Sequence, residues 1–211
     1  MSVMNGFRND LTDKIIGLNP HLTIHFQNKK KLENTKIELA SKYENIKFTE
    51  SINGEGIIMT ANKAKGVIIK GINANGKFQS FLNKEITKGS LNDFSSGKVM
   101  IGGELAYNLK LNVGDKINII SSSFIDTPLG SIPRQENFII AGIFNSGFYE
   151  FDQNLIYLDL NDAQLMFDKN FEEINLEVFL KDPFLADQYK KEIEASKQEL
   201  FISTWSDTNK T

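Results

Sequence analysis

The amino-acid sequence predicts an α+β fold in which a β-rich subdomain is inserted between the two halves of an α/β subdomain. Residues 21–72 alternate between strand and helix patterns, and residues 175–203 return to that alternation. The stretch between them carries short strand patterns separated by brief helical ones. We therefore assign residues 1–72 and 170–211 to the α/β subdomain and residues 73–169 to the inserted one.

The α/β subdomain opens with the pattern of an amphipathic helix, which Pro20 ends because proline lacks the amide hydrogen that a further helical turn needs. The apolar residues of this helix recur at spacings of three and four: Val3, Met4, Phe7, Leu11, Ile15 and Leu18. A half-buried strand, a helix and three strands are predicted next, at residues 21–26, 32–43, 46–51, 56–61 and 66–72. The first two of those three strands are predicted to meet in a turn at Asn53-Gly54.

The inserted subdomain follows a linker rich in Gly and Asn at residues 71–76. Four short strands are predicted, around residues 98–101, 116–121, 137–144 and 155–158. Two short helices are predicted at residues 104–109 and 161–167, and Asn161 is the expected N-cap of the second. The chain then returns to a strand, a helix with Pro183 in its first turn and a last strand, at residues 175–180, 183–198 and 199–203.

Composition excludes several classes of function. The formal net charge is −3, and the one basic run, Lys29–Lys31, fits a solvated helix start. Nucleic-acid binders show a basic face or stripe, so we expect no nucleic acid among the partners. The chain has no cysteine, which excludes disulfides, thiolate zinc sites and a cysteine nucleophile.

No catalytic constellation is recognisable in the sequence. His21 and His25 are the only histidines, and a strand places residues at this spacing about 13 Å apart, too far to share a metal. The sequence has no Gly-x-Ser-x-Gly elbow and no Walker A loop, and Gly54-x-Gly56 precedes a strand instead of the helix that a dinucleotide loop needs. We therefore predict a chain that is not an enzyme, with no catalytic residues, no metal and no cofactor.

The sequence shows neither a membrane span nor a secretion signal. No apolar run approaches the ~20 residues that cross a bilayer, and residues 1–6 lack the basic and apolar regions of a signal peptide. We expect a domain of a larger membrane protein that follows a membrane anchor. Since both ends of the chain belong to the α/β subdomain, we expect them to lie close together.

Residues 121–136 connect two strands that a hairpin loop would usually join in about 2–5 residues. The connection carries apolar residues without the periodicity of a core: Phe124, Ile125, Pro128, Leu129, Ile132 and Pro133. Two interpretations are open. The connection either folds back on its own subdomain or projects as an arm that offers apolar residues to a partner, since prolines reduce the entropy lost when an arm becomes ordered.

Three stretches resemble LolC/LolE-type permeases, the membrane subunits of lipoprotein-releasing ABC transporters. The first is residues 2–21, which are similar to the segment after the first transmembrane helix of that family. The second runs from Gly103-Glu104-Leu105-Ala106 to Gly114-Asp115 and is shared with MacB-type permeases. The third is Thr127-Pro128-Leu129-Gly130-Ser131-Ile132-Pro133-Arg134-Gln135, with Phe138 and Trp205 further along.

This resemblance implies a MacB-like periplasmic domain at the periplasmic face of a Gram-negative inner membrane, with a Porter α/β subdomain and a Sabre β-rich subdomain. In LolC a protruding hairpin, the Hook, captures the periplasmic carrier LolA, and residues 122–136 match it. The implied carrier-binding residues are Thr127, Pro128, Leu129, Gly130, Ile132, Pro133, Arg134 and Gln135. The family often has a basic residue where this chain has Glu136.

Further partners follow from the same resemblance. They are the ATPase subunit LolD, reached through the full-length permease, a second LolC/LolE-type permease subunit and the outer-membrane lipoproteins that the transporter releases. An alternative is the periplasmic domain of a MacB-type efflux permease, which binds an adaptor protein and lacks a LolA-binding Hook. A secreted enzyme is the third hypothesis, and it requires a cluster of polar residues in a cleft.

Overall fold

The computed structural model describes residues 19–26, 29–43, 46–73, 79–169, 173–196 and 200–208. The strands are β1 (Leu22–His25), β2 (Lys47–Met59), β3 (Ala64–Ile72), β4 (Ile86–Gly89), β5 (Lys98–Gly102), β6 (Lys116–Thr127), β7 (Gly130–Phe144), β8 (Leu155–Asp159), β9 (Asn175–Phe179) and β10 (Phe201–Thr204). The helices are α1 (Lys29–Lys42), α2 (Gln79–Glu85), α3 (Gly103–Leu109), α4 (Tyr149–Asn154), α5 (Leu160–Phe167), α6 (Ala186–Ser196) and α7 (Trp205–Thr208). Short 3-10 turns lie at Leu91–Asp93 and Pro183–Leu185. None of these helices is both long and apolar enough to cross a membrane.

The chain divides into two compact units, and the first is built from both ends of the sequence. It comprises Met1–Thr49 with Phe171–Thr211, and the second comprises Glu50–Asn170. The predicted α+β class is confirmed. The division differs from the sequence-based boundary, because it places residues 50–72 in the second unit, where β2 pairs with β6 and β3 pairs with β8.

The first unit has β1 at the centre of three antiparallel strands. Leu22 of β1 lies opposite both Thr204 of β10 and Val178 of β9. The Leu180 amide donates a 2.8 Å hydrogen bond to Nδ1 of buried His21, so this histidine has a structural role. The core is aliphatic and comes from the strands and from helices α1 and α6: Leu22, Ile24, Leu39, Leu176, Val178, Ile193 and Ile202.

The second unit is a sheet whose strands close on themselves. The pairing runs β2-β3-β8-β5-β7, and β6 joins β7 back to β2, while β4 lies beside β7. The β3–β8 and β5–β7 pairs are parallel and the remaining pairs of this unit are antiparallel. Buried aliphatic residues line one face of these strands: Ile52, Ile58, Ile69, Ile101, Ile117, Ile119 and Ile156. Each contributes about 1.5–3 kcal/mol by its burial.

Strand β2 corrects the prediction of two strands joined at Asn53-Gly54. The strand is continuous from Lys47 to Met59, and Gly54 is paired with Ile69 of β3. A side chain at Gly54 would meet the ring of Phe167, with the nearest ring atom 2.3 Å from the Cβ position. The glycine therefore serves the close approach of helix α5 instead of a turn.

The structure also corrects the predicted helix cap and adds elements that were not predicted. The N-cap of helix α5 is Asp159, whose Oδ1 accepts from the Asn161 amide at 2.9 Å, so Asn161 lies inside the helix. Helices α2 and α4 and strand β4 were absent from the sequence-based prediction. The predicted helix at residues 3–18 and the second half of the predicted linker at residues 71–76 lie outside the described residues, while Gly71 and Ile72 end strand β3.

Candidate docking hairpin

Strands β6 and β7 form one long hairpin where the sequence suggested a connection of irregular structure. Beyond the sheet, Phe124 lies opposite Pro133, Ile125 opposite Ile132 and Thr127 opposite Gly130. Pro128 and Leu129 are the two residues of the turn. Residues 122–136 therefore form a β-hairpin in the structure, whose outer part we call the docking hairpin.

The turn has a clear origin in its residues. Pro128 restricts its own φ angle, which favours the first central position of a turn. Gly130 follows the turn at φ +122°, a conformation that residues with a side chain rarely adopt. The Thr127 hydroxyl donates to Gly130 O at 2.6 Å and accepts from the Leu129 amide at 3.3 Å. These contacts leave the Leu129 side chain fully in solvent, with a relative exposure of 101%.

Both faces of the docking hairpin carry exposed apolar side chains. Residues opposite each other in a ladder share a face, and the faces alternate along a strand. Ile125 and Ile132 therefore lie together on one face, while Phe124 and Pro133 lie together on the other. Phe124, Ile125 and Ile132 are all exposed. The apolar side chains of this outer part are thus not packed against their own unit, and the role of the arm in binding a partner stays a prediction.

The predicted site residues separate into a tip and a base. Thr127, Pro128, Leu129 and Gly130 form the turn, while Ile132 and Pro133 extend along β7. Gln135, opposite Ile120, is exposed at the base. Arg134 behaves differently, because its guanidinium group contacts helix α5: Nη2 forms an ion pair with Asp168 Oδ1 at 2.8 Å.

Sequence reasoning missed Ser121, Ser123 and Asp168, which hold the base of the hairpin against helix α5. Their partners lie tens of residues away along the chain, as in the bond from Ser121 Oγ to Met166 O at 2.8 Å. No local motif marks such a contact. In the described part of the chain, no three His, Asp or Glu side chains are grouped as metal ligands.

The chain belongs to the MacB-like periplasmic core domain family, whose model matches residues 1–196. In line with this, the structure is similar to the periplasmic region of MacB from Actinobacillus actinomycetemcomitans, with a TM-score of 0.52 and 15% identity over 94% of this chain and 97% of that one. The likeness shows a shared fold, so the predicted MacB-like fold is confirmed.

Curated relatives confirm the resemblance to LolC/LolE-type permeases. The chain is 25% identical to the lipoprotein-releasing system transmembrane protein LolC of Neisseria meningitidis serogroup B. The match covers 100% of this chain and 52% of that protein. It is 30% identical to LolC of Buchnera aphidicola subsp. Schizaphis graminum, over 97% of this chain and 51% of that one. The chain thus spans about half the length of the curated relatives it matches.

Proposed function

We propose that the chain is the periplasmic domain of a lipoprotein-releasing ABC transporter permease, at the periplasmic face of the inner membrane. Its work is binding and mechanical coupling, with ATP hydrolysis supplied by a separate LolD subunit and a second LolC/LolE-type permease subunit beside it. The docking hairpin captures the carrier LolA, which receives the released lipoprotein. The similarity to LolC proteins along the whole chain supports this proposal. The first unit corresponds to the Porter subdomain and the second to the Sabre subdomain.

The observation that carries the proposal is the docking hairpin itself. Leu129 at its tip is fully exposed, and exposed apolar residues in one patch mark interaction sites. The hairpin presents this leucine on a short turn restricted by Pro128 and Gly130. A partner that offers an apolar cleft would bury Leu129 without first having to order it, which lowers the entropic cost of binding.

In the first unit, the start of β1 lies next to the end of β10. Leu22, the first residue of β1, lies beside Thr204, the last residue of β10. The Trp205 amide also donates to His21 O at 3.1 Å. The described part of this unit thus starts and ends at neighbouring positions of one sheet, and the closeness of the two chain ends stays a prediction.

The test is binding of the purified domain to immobilised LolA from the same organism. Leu129→Asp places a charge at the centre of the proposed apolar contact and should weaken binding by about 30-fold or more, since a hot spot contributes ~2 kcal/mol or more. Leu185→Asp is the matched control, because Leu185 is an exposed leucine of the first unit. It should bind as the wild-type domain does.

A second control separates binding from folding. Leu105 is fully buried in helix α3, so Leu105→Asp should unfold the second unit, whereas Leu129→Asp should leave the melting temperature unchanged. Wild-type affinity in Leu129→Asp would refute the Hook assignment. Binding to a periplasmic efflux adaptor in place of LolA would favour the MacB-type alternative.

A further inference from the structure

Two serines at the base of the docking hairpin bind the C-terminal end of helix α5. Ser121 Oγ donates to Met166 O at 2.8 Å, and Ser123 Oγ donates to Phe167 O at 2.9 Å. The last carbonyl groups of a helix have no partner within the helix. Here the hairpin supplies hydrogen-bond donors to two of them.

Arg134, on the other strand of the hairpin, binds the same helix end. Its Nη1 donates to Leu165 O at 3.4 Å, and its Nη2 forms the 2.8 Å ion pair with Asp168 just beyond the helix. A cation is favourable at this position because the C-terminus of a helix carries partial negative charge. We call the contacts of Ser121, Ser123 and Arg134 with this helix end the hairpin clamp.

The clamp lies at the point where the hairpin ladder is interrupted. Ile120 is paired with Gln135 and Phe124 with Pro133, so residues 121–123 face Arg134 alone. A bulge of this kind interrupts the ladder between β6 and β7 and bends the strand, although Ser121 still pairs with Gly56 of β2. The backbone ladder by itself therefore fixes the direction of the outer hairpin only weakly at this position.

Helix α5 gives the clamp a firm support. The helix lies so close to the sheet that a side chain at Gly71 of β3 would stand 2.2 Å from the Cβ of Ala163. The ring of Phe167 approaches Gly54 of β2 in the same way. The clamp thus joins the hairpin to a helix that cannot shift without disturbing the core.

Beyond the clamp, the hairpin has little else to orient it. Within the described part of the chain, the side-chain hydrogen bonds of residues 124–133 stay inside the hairpin, as in Ser131 to Asp126 and Thr127 to Gly130. We infer that Arg134, Ser121 and Ser123 are positioning residues that hold the docking hairpin in one direction. The effect of this positioning on carrier binding rests on the proposed function, but the direction of the hairpin can be measured without any carrier.

The clamp affects direction more than stability. The side chains of Arg134 and Asp168 keep relative exposures of 27% and 69%, and an ion pair so open to solvent stabilises a fold only slightly. Arg134 Nε is buried without a hydrogen-bond partner in the described structure, which offsets part of that gain. Breaking the pair should therefore free the hairpin while leaving the domain folded.

The experiment measures the distance between two spin labels by electron paramagnetic resonance. The chain has no cysteine, so Leu129→Cys at the tip and Tyr107→Cys on helix α3, both exposed, can be labelled uniquely. We expect one narrow distance distribution in the otherwise unaltered chain. Arg134→Met and Asp168→Ala should each broaden it, and the two together should broaden it no further than Arg134→Met alone, which already removes the ion pair and the bond to Leu165 O.

The matched control is an ion pair of similar length elsewhere. Lys190 and Asp207 of the first unit form a 2.9 Å pair, so Lys190→Met should leave the distribution narrow. An unchanged distribution in both Arg134→Met and Asp168→Ala would overturn the inference. If Arg134→Met fails to fold, Asp168→Ala alone decides, since Asp168 is exposed and its loss leaves the core intact.

Carrier binding provides a separate measurement. If the freed hairpin spends about a tenth of its time in the docking direction, the affinity for LolA should fall about tenfold in Asp168→Ala, which leaves every predicted carrier-binding residue in place. Broadening together with wild-type affinity would contradict the role in docking. Failure of the wild-type domain to bind LolA would refute the proposed function alone, because the label distances report on the clamp without a carrier.

Discussion

At the tip of the docking hairpin, one hydroxyl group connects both sides of the turn. Thr127 Oγ1 donates to Gly130 O and accepts from the Leu129 amide. Both bonds are exposed to solvent, so each contributes little to the free energy of unfolding. Their effect is local, because they restrict the backbone that displays Leu129.

This geometry predicts the effect of Thr127→Val, which keeps the branched shape and removes the hydroxyl. The turn loses both bonds, so the affinity for LolA should fall by about two- to tenfold, the equivalent of one ordinary hydrogen bond. Thr127→Ser keeps the hydroxyl and should retain wild-type affinity. Titration of the three proteins against LolA with a parallel thermal melt is the measurement, and equal affinity of the valine and serine variants would contradict it.

The residues at the tip were predictable and those at the base were not. Pro128, Leu129 and Gly130 stand together in the sequence, and their residue types indicate a turn, whereas the exposure of Leu129 was left open. Arg134 was predicted as a partner-binding residue, and that prediction stays untested. Its ion pair with Asp168, 34 positions further along the chain, exists only because the tertiary fold brings the two together.

Among the elements, helix α5 packs closely against the sheet at two glycines. Gly54 and Gly71 lie in neighbouring strands, and both face the helix. Sequence analysis interpreted Gly54 as a turn residue, because a glycine after asparagine is a common turn signal. A glycine can also stand in the middle of a strand where another element packs too closely for a side chain, and this is the reason for Gly54.

The same contact predicts the effect of Gly71→Ala. The new methyl group would overlap the Cβ of Ala163, so the helix must move and the unfolding free energy should fall by about 1–3 kcal/mol, as in other overpacked cores. Gly66→Ala, in the same strand, meets no atom within 4 Å and should change it by less than about 0.5 kcal/mol. Urea denaturation compares the two variants, and equal midpoints would show that the helix is not tightly packed there.

The alternation of apolar and polar residues predicts only part of the hairpin formed by β6 and β7. Its inner halves were predicted as strands at residues 116–121 and 137–144, where buried and exposed residues alternate. The outer halves carry apolar residues on both faces, so the period of two disappears there. The sequence pattern therefore indicated a long connection, whereas the ladder continues to Thr127 and Gly130.

At the scale of the whole molecule, the insertion of one unit into another was predictable and its boundary was not. The return of strand and helix patterns after residue 173 indicates a unit built from both chain ends. Strands β2 and β3 have the same local pattern whichever unit they join. Their place in the second unit is set by pairing with β6 and β8, whose residues lie 59 or more positions further along the chain.

The division of labour in the proposed transporter predicts that this chain neither binds nor hydrolyses ATP. One stretch approaches a phosphate loop, since Gly71, Gly76 and Lys77 have the spacing of that motif. Phe78 stands where the motif requires the serine or threonine whose hydroxyl binds Mg²⁺. Gly71 itself is paired with Ile52 inside strand β3 and faces Ala163, so its amide is not part of a loop around a phosphate.

Isothermal calorimetry of the purified domain with ATP and Mg²⁺ tests this prediction. We expect only the heat of dilution, and no phosphate release on prolonged incubation, while the LolD subunit of the same organism should show both binding and hydrolysis. Saturable heat with the domain alone would contradict the assignment of ATP hydrolysis to a separate subunit. Substituting Lys77→Ala in that event would locate the binding, because the lysine is the residue that contacts the β- and γ-phosphates in such a loop.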